Sequence, residues 1–251
     1  MPELSFELIA LLTLAATAAG FIDAVAGGGG LITIPALIFS GIPPVEALAT
    51  NKLQGSFGSF SATLYFVRRK MVIPSNQGWA LMAAAAGAAS GAVAIQWFST
   101  DWLLKVMPFA LIAIALYLLI AHKAGYRESK AKLSEKSFNA SLIPGIGFYD
   151  GFFGPGTGTF FTLGYCQLRG MNMLQATAHT KLMNFTTNIL SLAVFVLSGK
   201  IMWSIGLSMA VGQFVGARLG AATALRQGVG FIRLMTVGVC IAISISLWLK
   251  Q

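Results

Sequence analysis

Four ionisable side chains stand where apolar neighbours make charge costly. Asp23 and Asp150 each lie four residues before a glycine-rich break, and Lys52 and Lys181 each interrupt a later apolar segment. At the centre of a bilayer such a charge costs at least about 2.5–3.5 kcal/mol, so it pairs or serves a function. Two chemistries fit these residues. In the first, Asp23 pairs with Lys52 and Asp150 with Lys181, so that each pair locks its own break. In the second, Lys52 and Lys181, helped by Asn51, Gln54, His179, Thr180 and Asn184, attract a substrate anion. Both hold if the pairs open on binding. An aspartate so placed could also carry a coupling proton, and His179 reads as a core histidine or as a proton relay.

The breaks themselves are the sharpest signal. Gly27 to Gly30 are consecutive glycines inside an apolar run, and Gly154-Pro155-Gly156-Thr157-Gly158 is their partner. Glycine and proline interrupt a helix and free backbone groups that hydrocarbon cannot satisfy. Residues 27–30 and 154–158 are therefore expected to be non-helical and to face each other across a polar cavity. A helix restarting after each break would offer N–H groups and a positive dipole end to an anion. That makes Gly28, Gly29, Gly30, Gly156, Thr157 and Gly158 candidate substrate-binding residues. Close helix packing is the alternative and suits Gly87 with Gly91 and Gly216 with Gly220, whereas the recurrence of the breaks in both halves favours a substrate-lining role for them. Arg218, between the last two, either snorkels to the interface or binds an anion, and snorkelling is favoured.

Other chemistries fail on context. Gly154-x-Gly156-x-Gly158 hints at a phosphate loop, but it has no preceding strand pattern and no GK[ST] ending. His122 and His179 cannot supply a metal triad, Cys166 and Cys240 have no CxxC spacing, and no GxSxG or HExxH occurs. Neither an enzyme nor a cofactor nor a metal is expected.

The elements that hold these residues follow from composition. Of 251 residues, 56% are hydrophobic and 10% charged, against about 25% charged in a soluble domain. Mean hydropathy is +0.76, and an integral membrane protein is indicated. Apolar stretches run over 5–26, 30–40, 45–67, 77–98, 102–121, 138–153, 157–168, 173–198, 202–223 and 229–249. They are continuous rather than alternating, which points to an all-α polytopic bundle and not a β-barrel. The net charge of +9 does not indicate nucleic acid, because the basic residues sit in short loops without interleaved aromatics. Membrane lipid is the expected surrounding.

The chain repeats itself. Gly20 to Gly29 align with Gly147 to Gly156, Ala47 to Leu53 with Ala176 to Leu182, and Gly87 and Gly91 with Gly212 and Gly216, at offsets of 125 to 130. Two homologous halves are expected, 1–121 and 138–251, of about four to five helical segments each, joined by a cytoplasmic linker at 122–137. If the halves are inverted and the N-terminus is outside, eleven Lys and Arg fall inside and three outside. Parallel halves give ten against four. Inverted halves with both termini periplasmic are favoured.

Gly20 to Pro35, Ala49-Thr50-Asn51-Lys52-Leu53-Gln54 and Gly147 to Gly158 resemble the TauE/SafE family of sulfite exporters over nearly the whole chain. The resemblance implies an inner-membrane permease that moves sulfite or organosulfur anions. From the residues alone, a secondary transporter of small anions is the first reading. An anion channel or a structural membrane protein is the alternative.

Overall fold

Several helices start or stop on a recognisable local signal. Helix α1 (Phe6–Ala26) begins behind Ser5, whose hydroxyl accepts the Leu8 N–H at 3.1 Å, and ends at Gly27 in the left-handed conformation (φ 83°). Helix α2 (Gly30–Phe39) has ten residues. Helix α3 (Pro44–Arg68) opens on a proline at the position where a missing N–H costs nothing. A 3₁₀ turn, Pro74–Gln77, leads into α4 (Gly78–Ala94). The second half repeats the order: α5 (Glu135–Phe152) capped by Ser134, α6 (Thr157–Arg169), α7 (Met173–Leu197) capped by Asn172, and α8 (Trp203–Trp248), kinked at Gly228.

The computed structural model describes residues 5–99, 101–103, 105–106, 109 and 128–248. No strand occurs among the described residues. The expected span at 102–121 lies largely outside them, as does the linker as far as Arg127. The rest of the linker packs on the end of α6, with the Ser129 N–H donating to the Gly170 carbonyl at 2.9 Å. Its last residues, from Glu135, already belong to α5. The stretches 202–223 and 229–249 join in α8.

Four segments are long and apolar enough to cross a membrane among the described residues: Phe6–Ala26, Pro74–Trp97, Met173–Leu197 and Trp203–Gly228. Phe6, Leu14, Leu197 and Leu219 stand exposed on the outside, where lipid rather than water is their natural solvent. Helix α3 is more polar for a reason. Thr50, Asn51, Lys52, Gln54, Ser56, Ser59, Ser61 and Thr63 are all buried, so its polar groups face protein on most sides.

The halves interlock. Gly212, Gly216 and Gly220 of α8 meet Thr13, Thr17 and Phe21 of α1 in the same order, so the two helices run parallel. A methyl group on Gly216 would lie 1.9 Å from the Thr17 carbonyl oxygen, which is why only glycine fits. Helices α4 and α5 repeat this contact, with Gly147 on Ala84 and Gly151 on Ala88. The corresponding helices α3 and α7 run antiparallel, with Phe60 against Phe185 (ring centroids 5.3 Å apart) and Gly55 against Asn188. Opposite directions in equivalent elements are compatible with inverted halves.

Candidate functional site

Both breaks turn the chain back on itself. Helix α2 returns along α1, so that Leu37 shares a cluster with Leu12 and Ala16. Helix α6 returns along α5, where Gly164 packs on Leu142 and Phe138. The tips of the two hairpins touch. A methyl group on Gly27 would lie 2.3 Å from the Gly158 carbonyl carbon, and the Thr159 hydroxyl donates to the Ala26 carbonyl at 2.7 Å. The Tyr149 hydroxyl closes the second tip by donating to the Pro155 carbonyl at 2.5 Å.

The breaks are shorter than expected. Gly30, Thr157 and Gly158 are already helical, leaving 27–29 and 153–156 as the non-helical tips. Left-handed glycines reverse the chain quickly (Gly27 φ 83°, Gly154 φ 92°, Gly156 φ 79°). After them the backbone bonds regain helical register. Neither Gly29 before α2 nor Gly156 before α6 can supply a side-chain cap. The first-turn N–H groups of Leu31, Ile32, Thr157 and Thr159 donate to carbonyls of the tips at 2.9–3.2 Å, and only those of Gly30 and Gly158, both on the cavity wall, have no such acceptor.

The ion pairs cross between the halves. Lys52 Nζ lies 2.9 Å from Asp150 Oδ1, and Lys181 Nζ lies 3.0 Å from Asp23 Oδ2. The expected pairing of Asp23 with Lys52 and Asp150 with Lys181 is thus overturned. Because the tips interlock, each carries its aspartate onto the central helix of the opposite half. Lys181 also donates to the Asp23 carbonyl, and Asp23 Oδ1 accepts the Gly29 N–H at 3.2 Å. The pairs differ in exposure: the Asp23 side chain is 19% accessible and that of Asp150 4%. Lys52 holds its partner by charge, without a well-directed hydrogen bond, and Asp150 Oδ2 is unsatisfied.

Between the tips lies a narrow, partly open polar cavity of about 30 Å³. Of the residues expected in the site, Asp23, Gly30, Asn51, Asp150, Gly156, Thr157, Gly158 and Asn184 line it. Lys52 and Lys181 stand behind the aspartates that line it. Gln54 is set back, donating to Asn51 Oδ1 at 3.0 Å. Gly28 and Gly29 belong to the first tip but not to the cavity wall. Thr180 lies 3.0 Å from the Thr162 hydroxyl, and His179 lies beside Gln175 and the Tyr165 ring, away from the cavity. Gly55, Asn188 and Gln213 also line the cavity and escaped the sequence reading. Their signal was an isolated amide or glycine in an apolar span.

Matching hydrogen bonds fasten the two restarted helices. Thr33 donates to Asn51 at 2.6 Å, and Thr162 pairs with Thr180 at the equivalent place. Chemically, two helix N-termini, the amide groups of Asn51, Asn184 and Gln213, and two lysines held by aspartates suit a small anion, while the Asn188 amide donates to the Asn184 carbonyl at 2.7 Å. Among the described residues no group of three metal-ligating side chains gathers.

Comparison with known proteins agrees with this architecture. The family described as sulfite exporter TauE/SafE matches residues 12–247. The probable membrane transporter protein ORF9 of Sinorhizobium sp is 47% identical over 247 residues, spanning 98% of this chain and 95% of that protein. The probable membrane transporter protein YfcA of Escherichia coli K12 is 46% identical over 242 residues, spanning 96% and 89%. The probable membrane transporter protein YunE of Bacillus subtilis is 25% identical over 243 residues, spanning 87% and 88%. No solved structure matches.

Proposed function

The chain belongs to the sulfite exporter TauE/SafE family, a family of membrane transporters, and on that premise we propose that it is a secondary carrier of small anions. Sulfite or an organosulfur anion is the substrate class. The observation that carries this reading is the meeting of two helix N-termini without side-chain caps in one polar cavity between the halves. An anion there would be held by backbone N–H groups, helix dipoles and amide side chains. The two lysines and two aspartates around it sum to zero charge. An entering anion therefore competes with Asp23 for Lys181 and with Asp150 for Lys52. A proton taken up by either aspartate would free its lysine, which couples anion movement to the proton gradient. Alternating access would come from one hairpin moving against the other.

The bacterial inner membrane, with both termini on the periplasmic side, is the proposed setting. Arg68, Arg69, Lys70, Lys132, Lys136 and Arg169 gather at the end of the bundle where α3 and α6 finish, whereas Lys200 pairs with Glu46 at the other end. The positive-inside rule makes the first end cytoplasmic.

Proteoliposomes loaded with radiolabelled sulfite test the reading. Saturable efflux, accelerated by unlabelled sulfite on the far side, is expected of a carrier. Linear, non-saturating flux would mean a channel, and no flux of sulfite or sulfonates would end the proposal.

A further inference from the structure

Away from the cavity, two guanidinium groups share one aromatic ring. Arg69 lies 5.1 Å and Arg218 4.8 Å from the centre of Tyr65, itself almost wholly buried. Both arginines are exposed, and neither has an ion pair or hydrogen-bond acceptor among the described residues. Arg218 projects from a helix face otherwise made of Val211, Phe214 and Val215, all exposed, at spacings of seven, four and three residues that place them on one side. That face is apolar and open, the character of a lipid-facing surface. Tyr65 is three residues from the end of α3 at Arg68, which sets the pair of cations at headgroup depth.

The carboxylates among the described residues do not supply the missing charge. The chain has eight Asp and Glu in all. Asp23, Asp150, Glu46 and Glu135 are engaged by Lys181, Lys52, Lys200 and Arg169. Glu128 accepts from Asn172 and Gln175. Glu7 and Asp101 belong to the opposite end. Two like charges on one ring, facing lipid without a counter-ion, call for an anion from the lipid phase.

We infer that Arg69, Arg218 and Tyr65 form a binding site for the phosphate of an anionic phospholipid on the face between α3 and α8. Guanidinium forks suit the phosphodiester oxygens, and the ring holds both forks in place. The apolar row of Val211, Phe214 and Val215 then lies along the acyl chains. This site is independent of the anion cavity and of the transport reading.

The test is a thermal-shift titration of the purified, delipidated full-length protein in neutral detergent. Phosphatidylglycerol is expected to raise Tm saturably, and phosphatidylcholine of the same chains is not. R218Q and R69Q should each weaken the phosphatidylglycerol midpoint about fivefold, while R226Q, which removes an exposed charge nearby on α8, should leave it unchanged. Equal weakening by R226Q would reduce the effect to general surface charge and overturn the site. Stabilisation by inorganic phosphate alone would overturn the lipid assignment. If R218Q does not fold, R69Q and native mass spectrometry of retained phosphatidylglycerol on the unmodified protein still decide; retained phosphatidylcholine in equal amount would refute the proposal.

Discussion

The ammonium of Lys52 lies 2.9 Å from the carboxylate of Asp150, on the hairpin of the opposite half. With its counterpart between Lys181 and Asp23, this contact ties each half's central helix to the other half's tip. Glycine packing joins α1 to α8 and α4 to α5, while charge joins each central helix to the opposite tip.

This crossing makes a prediction about rescue. Removing one partner of a buried pair leaves an unpaired charge and commonly costs about 3–5 kcal/mol. K52M should therefore depress the abundance of folded protein in the membrane, and D150N added to it should restore much of the loss. D23N should not. Rescue of K52M by D23N and not by D150N, scored by fluorescence size-exclusion profiles, would contradict the crossed geometry.

Glycine positions separate by what surrounds them. A methyl group on Gly151 would lie 1.9 Å from the Ala88 carbonyl oxygen, whereas one on Gly145, six residues earlier in α5, meets nothing within 4 Å. G151A should push α4 and α5 apart and lower Tm by many degrees. G145A should leave Tm unchanged or raise it, since alanine favours a helix over glycine by up to about 1 kcal/mol. Tm measured on both purified variants checks this, and equal tolerance of the two would deny the close α4–α5 contact.

Much of this architecture was legible beforehand, because the lipid environment leaves few options. Continuous apolar runs had to become helices, and the Gly27 and Gly154 breaks had to be sheltered by protein. The two aspartates and two lysines announced themselves by cost alone. Partner choice was not legible. Sequence proximity suggested Asp23 with Lys52, but pairing is decided by how the tips interlock, which depends on contacts such as Gly27 on Gly158 between distant residues. Gln213 escaped for a similar reason. It is one amide in a glycine-rich helix, and only the approach of α8 to Gly20 and Gly58 brings it to the cavity.

Topology can be checked directly. With both termini periplasmic, GFP fused at residue 251 should stay dark and alkaline phosphatase fused there should be active. A cysteine at position 70, between α3 and the next turn, should react only with reagents that reach the cytoplasm. Fluorescent GFP at residue 251 would reverse the proposed placement of the C-terminus.

The last prediction concerns which pair the anion meets first. Both aspartates line the cavity, but the Asp23 side chain is 19% exposed and that of Asp150, against Lys52, only 4%. An anion entering this conformation can displace Asp23 from Lys181 without first opening the buried pair. Lys181 should therefore set affinity, and the double variant D23N with K181M, which leaves no charge unpaired, should separate structure from transport. Expected is near-normal abundance with sulfite-dependent thermal stabilisation lost and sulfite flux in proteoliposomes abolished. D23N alone should keep the stabilisation, because Lys181 is then free for the anion, while the dependence of flux on a pH gradient weakens. If the double variant folds and still moves sulfite at the unmodified rate, Lys181 has no part in binding the substrate. The crossed pairs would then be fasteners between the halves and nothing more.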